Sequence, residues 1–226
     1  MLNVRPKAPR LYRANTAICA MAGYGAMVST QSATFRGKQS ETEAEKAANS
    51  LLSGYPSNHI YRIYQNKILP KFQLYERARK VLPLWPEKLE SLLDIGCCKG
   101  YYVTKAAQRP ECKRAVGVDV YEPFIEASEQ VSKSLELDNT QFYLDTIDNL
   151  AERPESFGGP FQSVLLIGTY HYLFWGSVSS PHCFKSHDEI LSRLAALTTE
   201  QVIISARFEL DRLPENVKPK AVGAKE

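Results

Sequence analysis

The chain of 226 residues lacks an apolar stretch of the roughly 18 residues needed to span a bilayer; its nearest approach, Ala17–Val28, is broken by Gly and Tyr. No repeat is visible, and apolar and aromatic content is ordinary, which excludes collagen-like, coiled-coil and mainly disordered chains. Cysteines are few and odd in number (Cys19, Cys97, Cys98, Cys112, Cys183), so a secreted disulfide framework is not expected and reduced thiols in a cytosolic compartment are. A G-x-x-x-x-G-K-[ST] phosphate loop is missing, as is the G-x-S-x-G of serine hydrolases. His182, Cys183 and His187 fit no zinc spacing, and the adjacent Cys97-Cys98 pair lacks the C-x-x-C spacing of a redox couple.

Acid is missing from one region altogether. The first 40 residues hold six of the 28 basic residues and none of the 25 acids, so the remainder carries a net charge of −3. A body with that balance sets up no general field for nucleic acid. Residues 1–40 read as a basic leader, either a disordered arm or a targeting peptide. The expected location is cytoplasmic, or organellar or exported if the leader is a targeting signal.

What is present falls into two textures. Residues 41–90 read as a helical extension: Ser40–Ser53 is rich in helix formers, and His59–Val81 spaces Ile60, Ile63, Tyr64, Ile68, Leu74 and Ala78 mostly as a helix would, with a kink or division at Pro70. From Ser91 short apolar runs alternate with amphipathic stretches. Strands are expected at Leu92–Ile95, Ala115–Val120, Gln141–Leu144, Val164–Ile167 and Gln201–Ser205. Helices are expected from about Tyr101 to Gln108, Pro123 to Leu135 and His187 to Ala196, the last opened by the capping box Ser186-His187-Asp188-Glu189. Runs without internal polar alternation imply a parallel sheet covered on both faces. Right-handed crossovers then give an α/β, doubly wound sheet with its ligand site at the carboxyl ends of the strands. The core occupies residues 91–210 and a polar tail 211–226.

The chemistry concentrates at Leu92-Leu93-Asp94-Ile95-Gly96-Cys97-Cys98-Lys99-Gly100-Tyr101-Tyr102, a buried strand turning through small residues into a helix. Gly96 and Gly100 allow positive φ and close backbone approach. Counting a dinucleotide G-x-G-x-x-G from Gly96 puts Cys98 and Tyr101 where glycines are required. Asp94 would repel a diphosphate but tolerates a cationic or zwitterionic ligand.

Here the chain resembles the class I S-adenosylmethionine-dependent methyltransferases, whose first motif D/E-x-G-x-G-x-G is matched by Asp94, Gly96 and Gly100, with Cys98 replacing the middle glycine. The resemblance implies a Rossmann-like methyltransferase fold in which Gly96, Cys97 and Gly100 pass under the methionyl and ribose portions and Asp94 orients the amino end. It makes Asp119, ending Ala115-Val116-Gly117-Val118-Asp119, the ribose-binding acid, a place where an acid about 20 residues on is expected. It gives Asp145 and Thr146 the adenine contacts, with Asp148 a competitor, and lets Gly168, after Val164–Ile167, line the methyl donor. His171 is then a candidate general base, set against a structural histidine hydrogen-bonding its loop. As the alternative to a base, Tyr170 or Tyr172 is a candidate to face the sulfonium through a cation–π contact, and Tyr61 and Tyr64 are candidate lid residues.

Two departures matter. Gly168-Thr169-Tyr170-His171 stands where many enzymes acting on exocyclic or amide nitrogens have D/N-P-P-Y/F, which disfavours base N-methylation. The family's sixth and seventh strands have little room after Ser205, so the fold is abbreviated at the C-terminus, or the chain is a truncated form. The open edge is covered by the N-terminal helices or by a second subunit in a homodimer. The expected function is methyl transfer from S-adenosylmethionine to an unassigned, preferably small-molecule acceptor, with no metal. The alternatives are a non-catalytic S-adenosylmethionine-binding module and, against the glycine pattern, a nicotinamide-dependent oxidoreductase.

Overall fold

The computed structural model describes residues 40–181, 184 and 186–205. Of the leader only Ser40 falls within them, and the polar tail, His182 and Cys183 lie outside the described residues. No helix in this set is long and apolar enough to cross a membrane.

Five strands form one parallel sheet: β3 (Ser91–Ile95), β4 (Arg114–Asp119), β5 (Thr140–Leu144), β6 (Phe161–Ile167) and β7 (Thr198–Ser205). Their order is β5-β4-β3-β6-β7, the expected doubly wound arrangement. Between them run α3 (Tyr101–Ala107), α4 (Glu122–Ser134), the short α5 (Ile147–Glu152) and α6 (Tyr170–Trp175), and α7 (His187–Leu197). Ser186 caps α7, its hydroxyl accepting from Glu189 N at 3.2 Å.

Successive side chains on a strand point to opposite faces, and the two cores obey that rule. Leu93, Ile95, Val116, Val118, Val164 and Leu166 pack with α5 and α7 residues such as Leu150, Ile190 and Leu194. Leu92, Ala115, Leu165 and Ile167 belong to the other face, with Val103, Ala106 and Val131 of α3 and α4. Asp94 shares the face of Leu92, which is why a carboxylate ends up beneath this second core at 2% exposure.

The extension thickens that same face. It consists of α1 (Glu43–Leu52), a hairpin of β1 (Tyr61–Tyr64) and β2 (Lys67–Pro70), and α2 (Phe72–Val81). The helical reading of His59–Val81 is therefore correct only from Phe72 onward. The apolar positions Tyr61 and Ile63 satisfy strand alternation as well as helical spacing, and turn chemistry decides between them. Gln65 and Asn66 both take positive φ (50° and 57°), the two-residue hairpin turn for which asparagine is suited. Thr42 opens α1 with a reciprocal capping box to Glu45. Tyr61, Ile63, Leu74, Ala78, Val81 and Leu89 are all buried in the shared core, so the extension is continuous with the sheet domain.

Candidate functional site

Parallel pairing places the key carboxylates together. Asp94 pairs with Gly117 of β4, and Asp119 follows two residues later on that strand, so both acids project from the same face at neighbouring carboxyl ends. They are close enough for each other's charge to matter. Burial first, and the Asp119 charge second, push the Asp94 carboxyl up to about 8, while Arg77 opposes the rise. Burial also raises Asp119, against hydrogen bonds from the backbone N–H groups of Cys98, Tyr121 and Val120.

Between the acids runs the turn Gly96–Gly100. Gly96 and Gly100 both sit at φ 72° and Cys98 at φ 51°, so the place of the middle glycine keeps a left-handed backbone despite its side chain. The turn is held at nearly every residue. Val118 O accepts from Gly96 N (2.8 Å) and Cys97 N (3.0 Å), and Asp119 Oδ2 accepts from Cys98 N at 2.8 Å. Ser128, buried on α4, donates to Cys98 O (3.2 Å), and Thr104 donates to Gly100 O (2.7 Å). Tyr61 donates its phenol proton to Lys99 O. Cys97 and Cys98 are free and buried, and burial raises both thiols, so neither is poised as a nucleophile.

Lys99 points away from the carboxylates. Its ammonium, on a residue only 4% exposed, donates to Leu52 O (3.2 Å) and Ser53 O (3.1 Å) at the end of α1, where orphan carbonyls and the helix dipole favour a cation. Replacement Lys99→Met strands those carbonyls and is expected to cost about 1–3 kcal/mol, read from the urea midpoint. An unchanged midpoint would show that the ammonium contributes nothing to the joint.

The remaining predicted residues divide. Asp145 Oδ1 accepts from Thr146 N (2.7 Å) and Asn149 Nδ2 (2.6 Å), so it stays in the loop after β5, whereas Asp148 pairs with Arg193 of α7 at 3.1 Å. That geometry separates the two acids that compete in the sequence. Gly168, at φ 72°, faces open space beyond β6, while Thr169 packs directly over Gly96. His171 is half-buried, its Nδ1 has no hydrogen-bond partner, and burial lowers its pKa. Tyr170, by contrast, is 6% exposed in the α7-side core and shares a 2.6 Å hydrogen bond with His187 Nδ1. Helical turning explains this, because consecutive residues of α6 diverge and Tyr172, 49% exposed, takes the outer side. Tyr61 and Tyr64 lie on β1, and Tyr61 clasps the turn from below as a buried residue, not as a mobile cover.

Three groups near Asp94 carry no sequence signature. A small enclosed space of about 10 Å³, room for one water, is lined by His59, Asp94, Gly96, Cys97, Tyr101, Tyr102 and Ile167. Arg77 Nη1 lies 2.8 Å from His59 Nε2, and the buried Tyr102 hydroxyl has no partner. They converge from separate segments, and no spacing rule could have joined them.

Comparison with known proteins adds a family. The model of a family described as a methyltransferase domain matches residues 86–224, more than half of the chain. No curated protein matches. Solved structures similar to it include coclaurine N-methyltransferase bound to N-methylheliamine and SAH (16% identity, TM-score 0.48, covering 70% of this chain and 43% of that one). Another is the N-terminal domain of EvdMO1 with SAH bound (18% identity, TM-score 0.44, 62% and 60%). A third is PKMT2 from Rickettsia typhi in complex with AdoHcy (24% identity, TM-score 0.39, 52% and 20%). In each case this chain spans less than two thirds of the solved chain.

Proposed function

Because this chain belongs to the methyltransferase-domain family, we propose that it transfers a methyl group from S-adenosylmethionine to a small-molecule acceptor. One observation carries the reading: Asp94 and Asp119 stand on one face at the ends of paired strands, bridged by a left-handed turn. The donor set fits the cofactor. The lysine within the turn is committed to α1, leaving two acids: Asp119 to accept from a ribose diol and disfavour a diphosphate, and Asp94, which gains its charge when an ammonium displaces its proton.

S-adenosylmethionine supplies, when bound, an electrophilic methyl on a positive sulfur. The chain's residues would hold and orient it: Asp94 toward the amino group, Asp119 toward the ribose hydroxyls, Asp145 and the Thr146 backbone toward adenine. Gly96, Cys97 and Gly100 supply the close backbone and Gly168 the open side. His171, kept neutral by burial, can accept a proton from an acceptor hydroxyl or amine. Positioning alone supplies about 7–11 kcal/mol when reacting atoms are held in line. A small acceptor is favoured because the body's net charge of −3 sets up no general field that would draw a polyanionic acceptor.

Calorimetry with S-adenosylmethionine, its demethylated product and NAD tests the reading. Binding of the first two and not of NAD is expected; NAD bound tightly without the others would overturn it. Asp119→Ala is expected to weaken the demethylated product by about 1–3 kcal/mol, since a charged hydrogen bond is lost and Cys98 N loses its acceptor. Cofactor bound but never consumed across an acceptor panel would identify a binding module instead.

A further inference from the structure

Charge is divided along the chain a second time, and the cofactor site makes no use of the division. Residues 59–81 hold six basic residues against one acid, Glu76, whereas outside them and the first 40 residues 16 basic residues stand against 24 acids. Folding turns most of that basic charge outward. In the hairpin Arg62 pairs with Leu69 and Tyr64 with Lys67, so these four share the face opposite the buried Tyr61, Ile63 and Ile68. Lys71 continues the ladder, its N–H donating to Ile60 O at 2.9 Å, so Lys67, Leu69 and Lys71 alternate along one exposed line. Helix α2 follows at once. It buries Leu74, Ala78 and Val81, which leaves Phe72, Tyr75 and Arg79 outward at helical spacing. Phe72 is 85% exposed, Tyr75 52% and Leu69 41%. Lys67, Lys71 and Lys80 have no carboxylate within ion-pair distance among the described residues, whereas Arg79 meets Glu76 at 3.3 Å.

We propose that the outer face of the β1–β2 hairpin and α2 docks the protein onto an anionic lipid bilayer, with Leu69, Phe72 and Tyr75 entering the headgroup layer and Arg62, Lys67 and Lys71 meeting its anions. Charge decides the occupant. Like charge disfavours the basic first 40 residues of this chain as a cover. A nucleic acid that wrapped the molecule would run onto its acidic remainder, whereas a plane touches one face and leaves that remainder in water, screened beyond about 8–10 Å. The apolar side chains point the same way. Interleaved with lysines, they put carbon at the acyl boundary while the long ammonium stems reach back to the headgroups. Docking is shallow, because the apolar stripe of α2 is already spent on the protein's own core. The other side of the same hairpin holds the turn between the acids through Tyr61, so the candidate cofactor site lies one hairpin's thickness from the lipid.

Flotation of the full chain with vesicles tests the face. Vesicles of equimolar phosphatidylcholine and phosphatidylserine should bind the protein about tenfold or more tighter than phosphatidylcholine alone, and high salt should release it. Lys67→Gln combined with Lys71→Gln should weaken that binding about twentyfold, since each basic residue near such a surface is worth about fivefold. Phe72→Ser should weaken it about tenfold without changing its salt dependence. All three side chains are exposed, so melting temperatures should stay within about 2 °C of wild type, which separates lost docking from lost folding. Lys88→Gln combined with Lys133→Gln removes the same charge from other exposed positions and should leave vesicle binding unchanged. Equal weakening by the two pairs, undiminished binding after Lys67→Gln and Lys71→Gln, or no preference for phosphatidylserine overturns the docking face. Binding of a single-stranded RNA oligonucleotide that the first pair weakens, with vesicle binding absent, gives the face to nucleic acid and overturns it as well. No readout here involves S-adenosylmethionine, so such failure leaves the methyltransferase reading standing.

Discussion

Affinity for S-adenosylmethionine is expected to peak near pH 8 and to fall by about tenfold for each pH unit below that. The cause is Asp94, whose carboxyl burial and the Asp119 charge push up to about 8. Below that value the free protein holds Asp94 protonated, and an ammonium must displace the proton to gain a carboxylate partner. The neighbours that bear on the titration are Asp119, Arg77, His59, Tyr102 and the Cys97 and Cys98 thiols. His59 is neutral throughout, because burial, then Arg77 and Lys99, lower it to about 4. The fall above the peak comes from the ligand, whose α-amino group loses its charge near pH 8. Titration calorimetry from pH 6 to 9, in buffers of different ionisation enthalpy, would show proton release on the acid side; a flat profile would remove Asp94 as the ammonium partner. Stability of the free protein should move the opposite way. The folded pKa lies above the unfolded value of about 4, so this group destabilises the fold progressively as pH rises from about 4 to 8. Bound ligand should abolish that slope.

The second large effect is steric. Gly100→Ala is expected to cost about 2–4 kcal/mol, or roughly 5–15 °C in melting temperature for a chain of this size. A Cβ there would lie 2.8 Å from Ser128 Oγ and 2.9 Å from Phe142 Cε1, on a backbone at φ 72°. Ser128 cannot retreat without releasing Cys98 O and Phe124 O. Gly168→Ala is the internal control. It has the same φ of 72° but nothing within 4 Å, so only the left-handed cost of about 1–2 kcal/mol applies. Equal melting temperatures for the two variants would mean that the crowding at Gly100 is relieved by small shifts.

Much of this architecture could be read before any coordinates. Leu92–Ile95, Ala115–Val120 and Val164–Ile167 read as strands of a parallel sheet because both sheet faces are covered, and the order found is the one the family resemblance implies. The bend after Ile95 was equally legible, since Gly96 and Gly100 permit the positive φ that the turn adopts. Other features were hidden for definable reasons. The β1–β2 hairpin carries apolar positions that satisfy periods of both 2 and 3.6, and a Gln-Asn turn is a weaker signal than Asn-Gly. Tyr170 and Tyr172 look equivalent next to a strand end until α6 rotates them apart. Ser128 reads as a solvent-facing serine within an amphipathic helix, and only packing shows it at 0% exposure beneath the turn. Arg77, His59 and Tyr102 meet through tertiary structure alone.

The bond from Lys99 to the last carbonyls of α1 bears on how the molecule can be cut. A fragment trimmed to the family-matched stretch, residues 86–224, would keep the lysine and discard both its acceptors, along with the Tyr61 phenol that grips the same peptide. Such an excision turns the Lys99 ammonium out to water and strips the covering from apolar residues that share one core with Tyr61, Ile63, Leu74 and Val81. Anyone engineering chimaeras from this scaffold should therefore exchange residues 40–90 and the turn from Gly96 to Gly100 as one inherited cassette.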